Sequence, residues 1–137
     1  MNNEVINLLL EDGIITSAEN DNSFGVTFLT TPFLDDATGF EIELIYDESG
    51  KHVTIVGRVL CSSGGVNYRS ALWRVNQVNS TIIESEGLGS WILNTQCGNF
   101  LYTASSPKFI SPEATFEFCK ATVRTYLDTR NHFVNIE

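Results

Sequence analysis

The chain has no apolar run near the ~20 residues that a membrane-spanning helix needs, so no such span is expected. Basic residues are scarce: eight Lys and Arg face seventeen Asp and Glu, a formal net charge of -9. No cluster of cations is available to neutralise phosphates, which argues against nucleic acid as a partner. The same imbalance suits a basic protein segment. Cysteines number three, Cys61, Cys97 and Cys119, with no Cys-x-x-Cys pair. Reduced thiols in a cytoplasmic protein are expected from that pattern. The opening Met-Asn-Asn-Glu-Val-Ile-Asn has no basic stretch ahead of an apolar one, so no signal peptide is expected.

What is present first is a strand pair. In Phe40–Leu60, Phe40, Ile42, Leu44 and Tyr46 alternate with Glu41, Glu43 and Asp47, and Val53, Ile55 and Val59 share a face with Gly57. A period of two marks strands with one buried side. The Asp47-Glu-Ser-Gly-Lys51 link supplies turn formers, with Gly50 able to take positive φ. A hairpin in the middle of an antiparallel sheet is expected. At 137 residues the chain makes one domain with a core large enough to stand without metal or disulfides.

A short helix is expected from Asn3 or Glu4 to Glu11, stopped by Gly13. Ile14 to Thr16 reads as a short edge strand or its lead-in, Glu19 to Ser23 as a polar turn, and Gly25 to Thr31 as a strand ended by Pro32. From Tyr68 the period changes: Ala71, Val75, Val78 and Ile82 form an apolar stripe on a helix, with Leu72 flanking it and Trp73 off it. A second hairpin is expected from Gly89–Leu93 and Phe100–Thr103, with cross-strand aromatic pairing and Gly98 in the turn. Ser111-Pro112-Glu113 then opens a helix to about Arg130: a capping hydroxyl, a proline where its missing donor costs nothing, and an acid at the positive end of the dipole. Ile110 is a candidate hydrophobic staple. Its buried stripe is expected to be Phe116, Cys119, Val123 and Leu127, with Tyr126 beside it. Asn131 to Glu137 is expected to fray or dock loosely through Phe133 and Val134. The fold class is α+β: a single domain, residues 1–137, with helices packed on an antiparallel sheet in the order α-β-β-β-α-β-β-α, three or four strands preceding the second helix.

Chemistry is sought and not found. His52 and His132 have no Cys, Asp or Glu at zinc spacing, so no metal site is expected. Asp35-Asp-Ala-Thr-Gly39 lacks the alternating ligands of a calcium loop, and Gly50-Lys51 and Gly64-Gly65 lack the spacing of a phosphate loop. Glu41 and Glu43 share a strand face, where paired carboxylates can shift one another's pKa or simply meet solvent. Lys51 and Arg58 are placed to pair with them across the hairpin. No catalytic residue, cofactor or metal is expected. Surface remains, and the candidate partner surface is Val26, Phe28, Ile45, Val56, Trp73 and Tyr102.

The order of elements resembles the fold shared by type III secretion chaperones and YbjN-like proteins. The matching segments are Glu4–Gly13, Gly25–Leu60, Tyr68–Ile82, Leu88–Thr103 and Pro112–Arg130, nearly the whole chain. Two local pieces carry it: Ala71-Leu-Trp-Arg-Val-Asn-Gln-Val-Asn79, similar to the helix whose Asn precedes the hairpin, and Ile110-Ser-Pro-Glu113, similar to the cap of the last helix. The resemblance implies a small acidic cytoplasmic homodimer that binds another polypeptide. It places the dimer interface on the second helix and the following strand, here Ala71, Leu72, Val75, Val78 and Trp91.

Three functions follow as expectations. One is a non-catalytic protein-binding module, a dimeric chaperone or adaptor. Another is a small acidic immunity or regulatory protein that blocks one basic partner. The third is an enzyme using the Glu41/Glu43 face.

Overall fold

The computed structural model describes residues 3–21, 23–35, 39–47, 52–60, 67–94, 98–106 and 111–134. Outside these lie the 48–51 turn with Gly50 and Lys51, residues 36–38 of the acidic loop, Gly64-Gly65, Cys61, Cys97 and the Ile110 staple.

A helix at Asn3–Glu11 (α1) leads into strands Ser17–Asp21 (β1), Val26–Thr30 (β2), Glu41–Asp47 (β3) and His52–Leu60 (β4). Helix Tyr68–Glu84 (α2), strands Ser90–Asn94 (β5) and Asn99–Ser105 (β6), helix Pro112–Thr129 (α3) and a 3-10 turn at Arg130–Phe133 complete the order. All six strands are antiparallel in one sheet, ordered β1-β2-β3-β4-β6-β5. The fold is α+β, with the β3–β4 hairpin at its centre.

Gly13 ends α1 at φ 77°, where the Ile14 amide turns back to the Leu9 carbonyl at 3.0 Å. Ile14 and Ile15 are then buried as the lead-in to β1. The polar turn expected at Glu19–Ser23 is corrected: Glu19, Asn20 and Asp21 belong to β1, paired to Phe28, Thr27 and Val26. An edge strand exposed along nearly its whole length shows no hydrophobic alternation, so its sequence reads as a loop.

The two long helices begin as capping chemistry dictates. Asn67 Oδ1 accepts from the Ser70 amide at 3.2 Å to open α2, and Ser111 Oγ accepts from the Ala114 amide at 3.2 Å to open α3. The α2 stripe Ala71, Val75, Val78 and Ile82 is buried as expected. The α3 stripe differs. Its buried line is Thr115, Cys119, Thr122, Val123, Tyr126 and Thr129, while Phe116 and Leu127 are only partly buried. Each of those threonines donates to the carbonyl four residues back: Thr115 to Ser111, Thr122 to Phe118 and Thr129 to Thr125, at 3.0, 2.8 and 2.6 Å. That satisfies the hydroxyl locally and lets threonine act as a small apolar residue in the core.

Tyr126 fixes α3 to the sheet. Its ring lies over Gly57 on β4, and its hydroxyl donates to the Arg58 carbonyl at 2.8 Å and accepts from the Glu41 amide at 3.0 Å. Trp91, Tyr102, Tyr126, Phe100 and Phe133 form the aromatic centre of the core. Of the two alternatives expected past α3, docking through Phe133 and Val134 holds: the Phe133 ring is 2% exposed and lies 4.4 Å from that of Trp91, and Val134 packs against the core.

Candidate functional site

Strand alternation assigns each side chain to a face. Leu29, Leu44, Ile55, Tyr102 and Trp91 are all buried, and register places them on the same side, where α3 and Phe133 also pack. The residues between them point the other way. None of the described helices covers that second face, and its described side chains are half-buried or exposed apart from Asn99 at the start of β6, which is buried.

The open face is built of apolar residues set among carboxylates. Val26 lies between Asp21 and Asp47, and Phe28 between Glu19 and Ile45. Val56 lies between Glu43 and Thr103. Leu101 lies between Arg58 and Ile92, which is 50% exposed. Arg58 pairs with Glu41 across β3–β4 at 3.1 Å, as the hairpin alternation anticipates. Where β2 and β3 meet the 31–40 connection, the surface dips into a recess of about 390 Å³ walled by Phe28, Leu34, Leu60 and Glu43.

Of the expected partner surface, Val26, Phe28, Ile45 and Val56 are together on this face. Trp73 is not: it stands 60% exposed on α2. Tyr102 is corrected, because it is fully buried and donates its hydroxyl to the Leu88 carbonyl. The sequence reading missed Leu101 and Ile92. Their signal was present, since they alternate out of phase with Phe100, Tyr102 and Trp91. Leu34 had none.

The expected dimer residues fare differently. Ala71, Val75, Val78 and Trp91 are corrected as interface residues, because each is within 6% of full burial inside this chain. Leu72 remains, 51% exposed, with Ile83 at 77% on the same flank of α2. Between them on that flank is Asn79, whose side-chain amide accepts from the Trp91 N–H at 2.8 Å and donates to the Trp91 carbonyl at 3.0 Å. Asn79 thus does for the outer edge of β5 what a neighbouring strand would do.

No group of three or more His, Cys, Asp or Glu able to hold a metal occurs among the described residues. His132 is exposed beyond α3, while His52 lies half-buried at the end of β4, opposite Asp47. Cys119 is fully buried on α3, and that burial pushes its thiol up to about 12, away from the reactive thiolate. Among the described residues no helix is long and apolar enough to cross a membrane.

No protein-family model and no curated protein matches the chain. Among solved structures, a chain of the HopA1–SchA chaperone–effector complex shares the fold, with a TM-score of 0.50 and 12% identity over 92% of this chain and 97% of that one.

Proposed function

We propose that this chain is a non-catalytic protein-binding module, a cytoplasmic dimeric chaperone or adaptor for another polypeptide. The observation that carries the reading is the open sheet face, which leaves Phe28, Ile45, Val56 and Leu101 half-buried under no described helix, while the other face of β2 to β6 is packed. The fold shared with a chain of a chaperone–effector complex supports it, as does the resemblance to type III secretion chaperones and YbjN-like proteins. The homodimeric part rests on the Leu72–Ile83 flank of α2, now that Val75 and Val78 belong to the core.

A second reading, a small acidic immunity or regulatory protein, is favoured by one feature. The described residues of the open face carry Glu19, Asp21, Glu41, Glu43 and Asp47 against Arg58 alone. An inhibitor that relies on such a field loses association rate steeply as salt is added, whereas a chaperone held by apolar contact does not.

Tagged full-length protein captured from its host's lysate tests the main reading. The expected result is one stoichiometric polypeptide that becomes resistant to protease when bound. Recovery of nothing above background overturns it.

A further inference from the structure

Resting on the protein-binding reading, we infer that the open face docks an amphipathic helix of another protein, with Lys or Arg bordering the helix's apolar stripe.

The form of the occupant follows from the backbone. Every strand that presents this face is already paired in the sheet, so the face offers side chains and no free ladder groups. A partner segment desolvated on it must satisfy its own amides and carbonyls, which a helix does and an extended strand does not. Strand addition at the β5 edge is obstructed, because Asn79 already holds both outward groups of Trp91. At the opposite edge, β1 presents Ser17, Ala18, Glu19 and Asn20, all exposed and none a large hydrophobe. Helices are what cover sheet faces in layered folds, and α3, held to β4 through Tyr126, does so on the other side.

The chemistry of the occupant follows from the charges. The apolar residues run from Phe28 on β2 through Ile45 and Val56 to Leu101 and Ile92 on β6 and β5. Four inter-strand steps of about 4.8 Å, with a shift of four residues along the strands between Ile45 and Leu101, make this diagonal stripe roughly 23 Å long, the length of about 16 helical residues. Carboxylates stand on it at Glu19, Glu43 and Asp47, and the one described cation, Arg58, is already paired to Glu41. A second copy of this chain stacked face to face would set carboxylate against carboxylate, so the partner is a different, basic molecule. The recess between Phe28, Leu34 and Leu60 gives the stripe a concave end able to receive one large apolar side chain.

The test uses two fluorescent 18-residue helical peptides, one built of Leu and Lys and the other of Leu and Glu, titrated into the full-length protein. The expected result is that the Lys peptide binds with methyl and amide shifts at Ile45, Val56 and Leu101, while the Glu peptide does not bind. Ile45→Lys and Val56→Lys are expected to weaken binding at least ~tenfold, or about 1.4 kcal/mol. Glu43→Gln, which leaves the apolar stripe intact, is expected to weaken it less and to flatten its salt dependence. Equal binding of both peptides, binding of neither, shifts confined to α2, or variants that bind like the parent would each overturn the inference. A lysate partner that protects α2 instead would leave the protein-binding reading standing without this face.

Discussion

Gly57 occupies a strand position where any other residue would place a methyl inside the Tyr126 ring. The ring has no room to yield, because its hydroxyl is held by both the Arg58 carbonyl and the Glu41 amide. Gly57→Ala is therefore expected to destabilise by about 1–3 kcal/mol, the usual range for overpacking a core. Urea denaturation of the two proteins checks this, and a change within error would mean that Tyr126 is not fixed as described. The strand alternation around Gly57 was legible from sequence, since Val53, Ile55 and Val59 announce the buried side. The buried line of α3 was not. Thr115, Thr122 and Thr129 recur every seven residues on the core side, yet threonine is scored as polar until its hydroxyl is seen returning to its own helix.

Among elements, the pairing of α2 with β5 shows how a residue that looks unfavourable by propensity finds its reason in tertiary structure. Asparagine is a poor helix former, but at position 79 it closes the edge of the sheet. Asn79→Ala removes both bonds and is expected to cost about 1–3 kcal/mol. It is also expected to speed exchange of the Trp91 amide. Asn79→Asp keeps the acceptor for that amide, so its exchange is expected to remain slow; equally fast exchange in both variants would contradict the clamp. The neighbouring flank carries the dimer proposal. Leu72→Glu is expected to yield monomers by light scattering while leaving the fold intact, whereas Val75→Glu is expected to unfold the chain because Val75 is buried within it. A dimer unaffected by Leu72→Glu would remove this flank from the interface. Burial of the 71, 75 and 78 positions was legible from their spacing; whether they faced this chain or a second copy was not, because a helix stripe is the same in either case.

At the scale of the molecule, the packed layer makes the fold sensitive to alkali. Burial pushes the Cys119 thiol from 9.0 up to about 12 and raises the Tyr102 and Tyr126 hydroxyls above their ordinary 10.0. For Tyr126 the amide of Glu41 and the charge of Arg130 partly oppose that rise. In this range the folded chain retains protons that the unfolded chain has released, so stability falls as pH rises. For the thiol, the contribution is fully present below 9.0 and lost progressively toward about 12. Denaturation midpoints measured at pH ~8 and pH ~11 are expected to drop together with loss of the native tyrosine spectrum, and an unchanged midpoint would contradict the burial of these groups. The order of elements and the central hairpin were legible because alternation, capping and turn residues agree. The identity of the open face was not, since both sides of β2 and β4 carry apolar residues and only the sheet order decides which side the helices take.

The central claim is that one side of this sheet is packed and the other meets solvent. Methyl relaxation in the presence of a soluble, uncharged gadolinium chelate tests it most directly. The methyls of Ile45 and Val56 are predicted to relax strongly with added chelate while those of Ile42, Leu44, Val53, Ile55 and Val59, on the same two strands, stay protected. Equal protection of both sets would contradict the account.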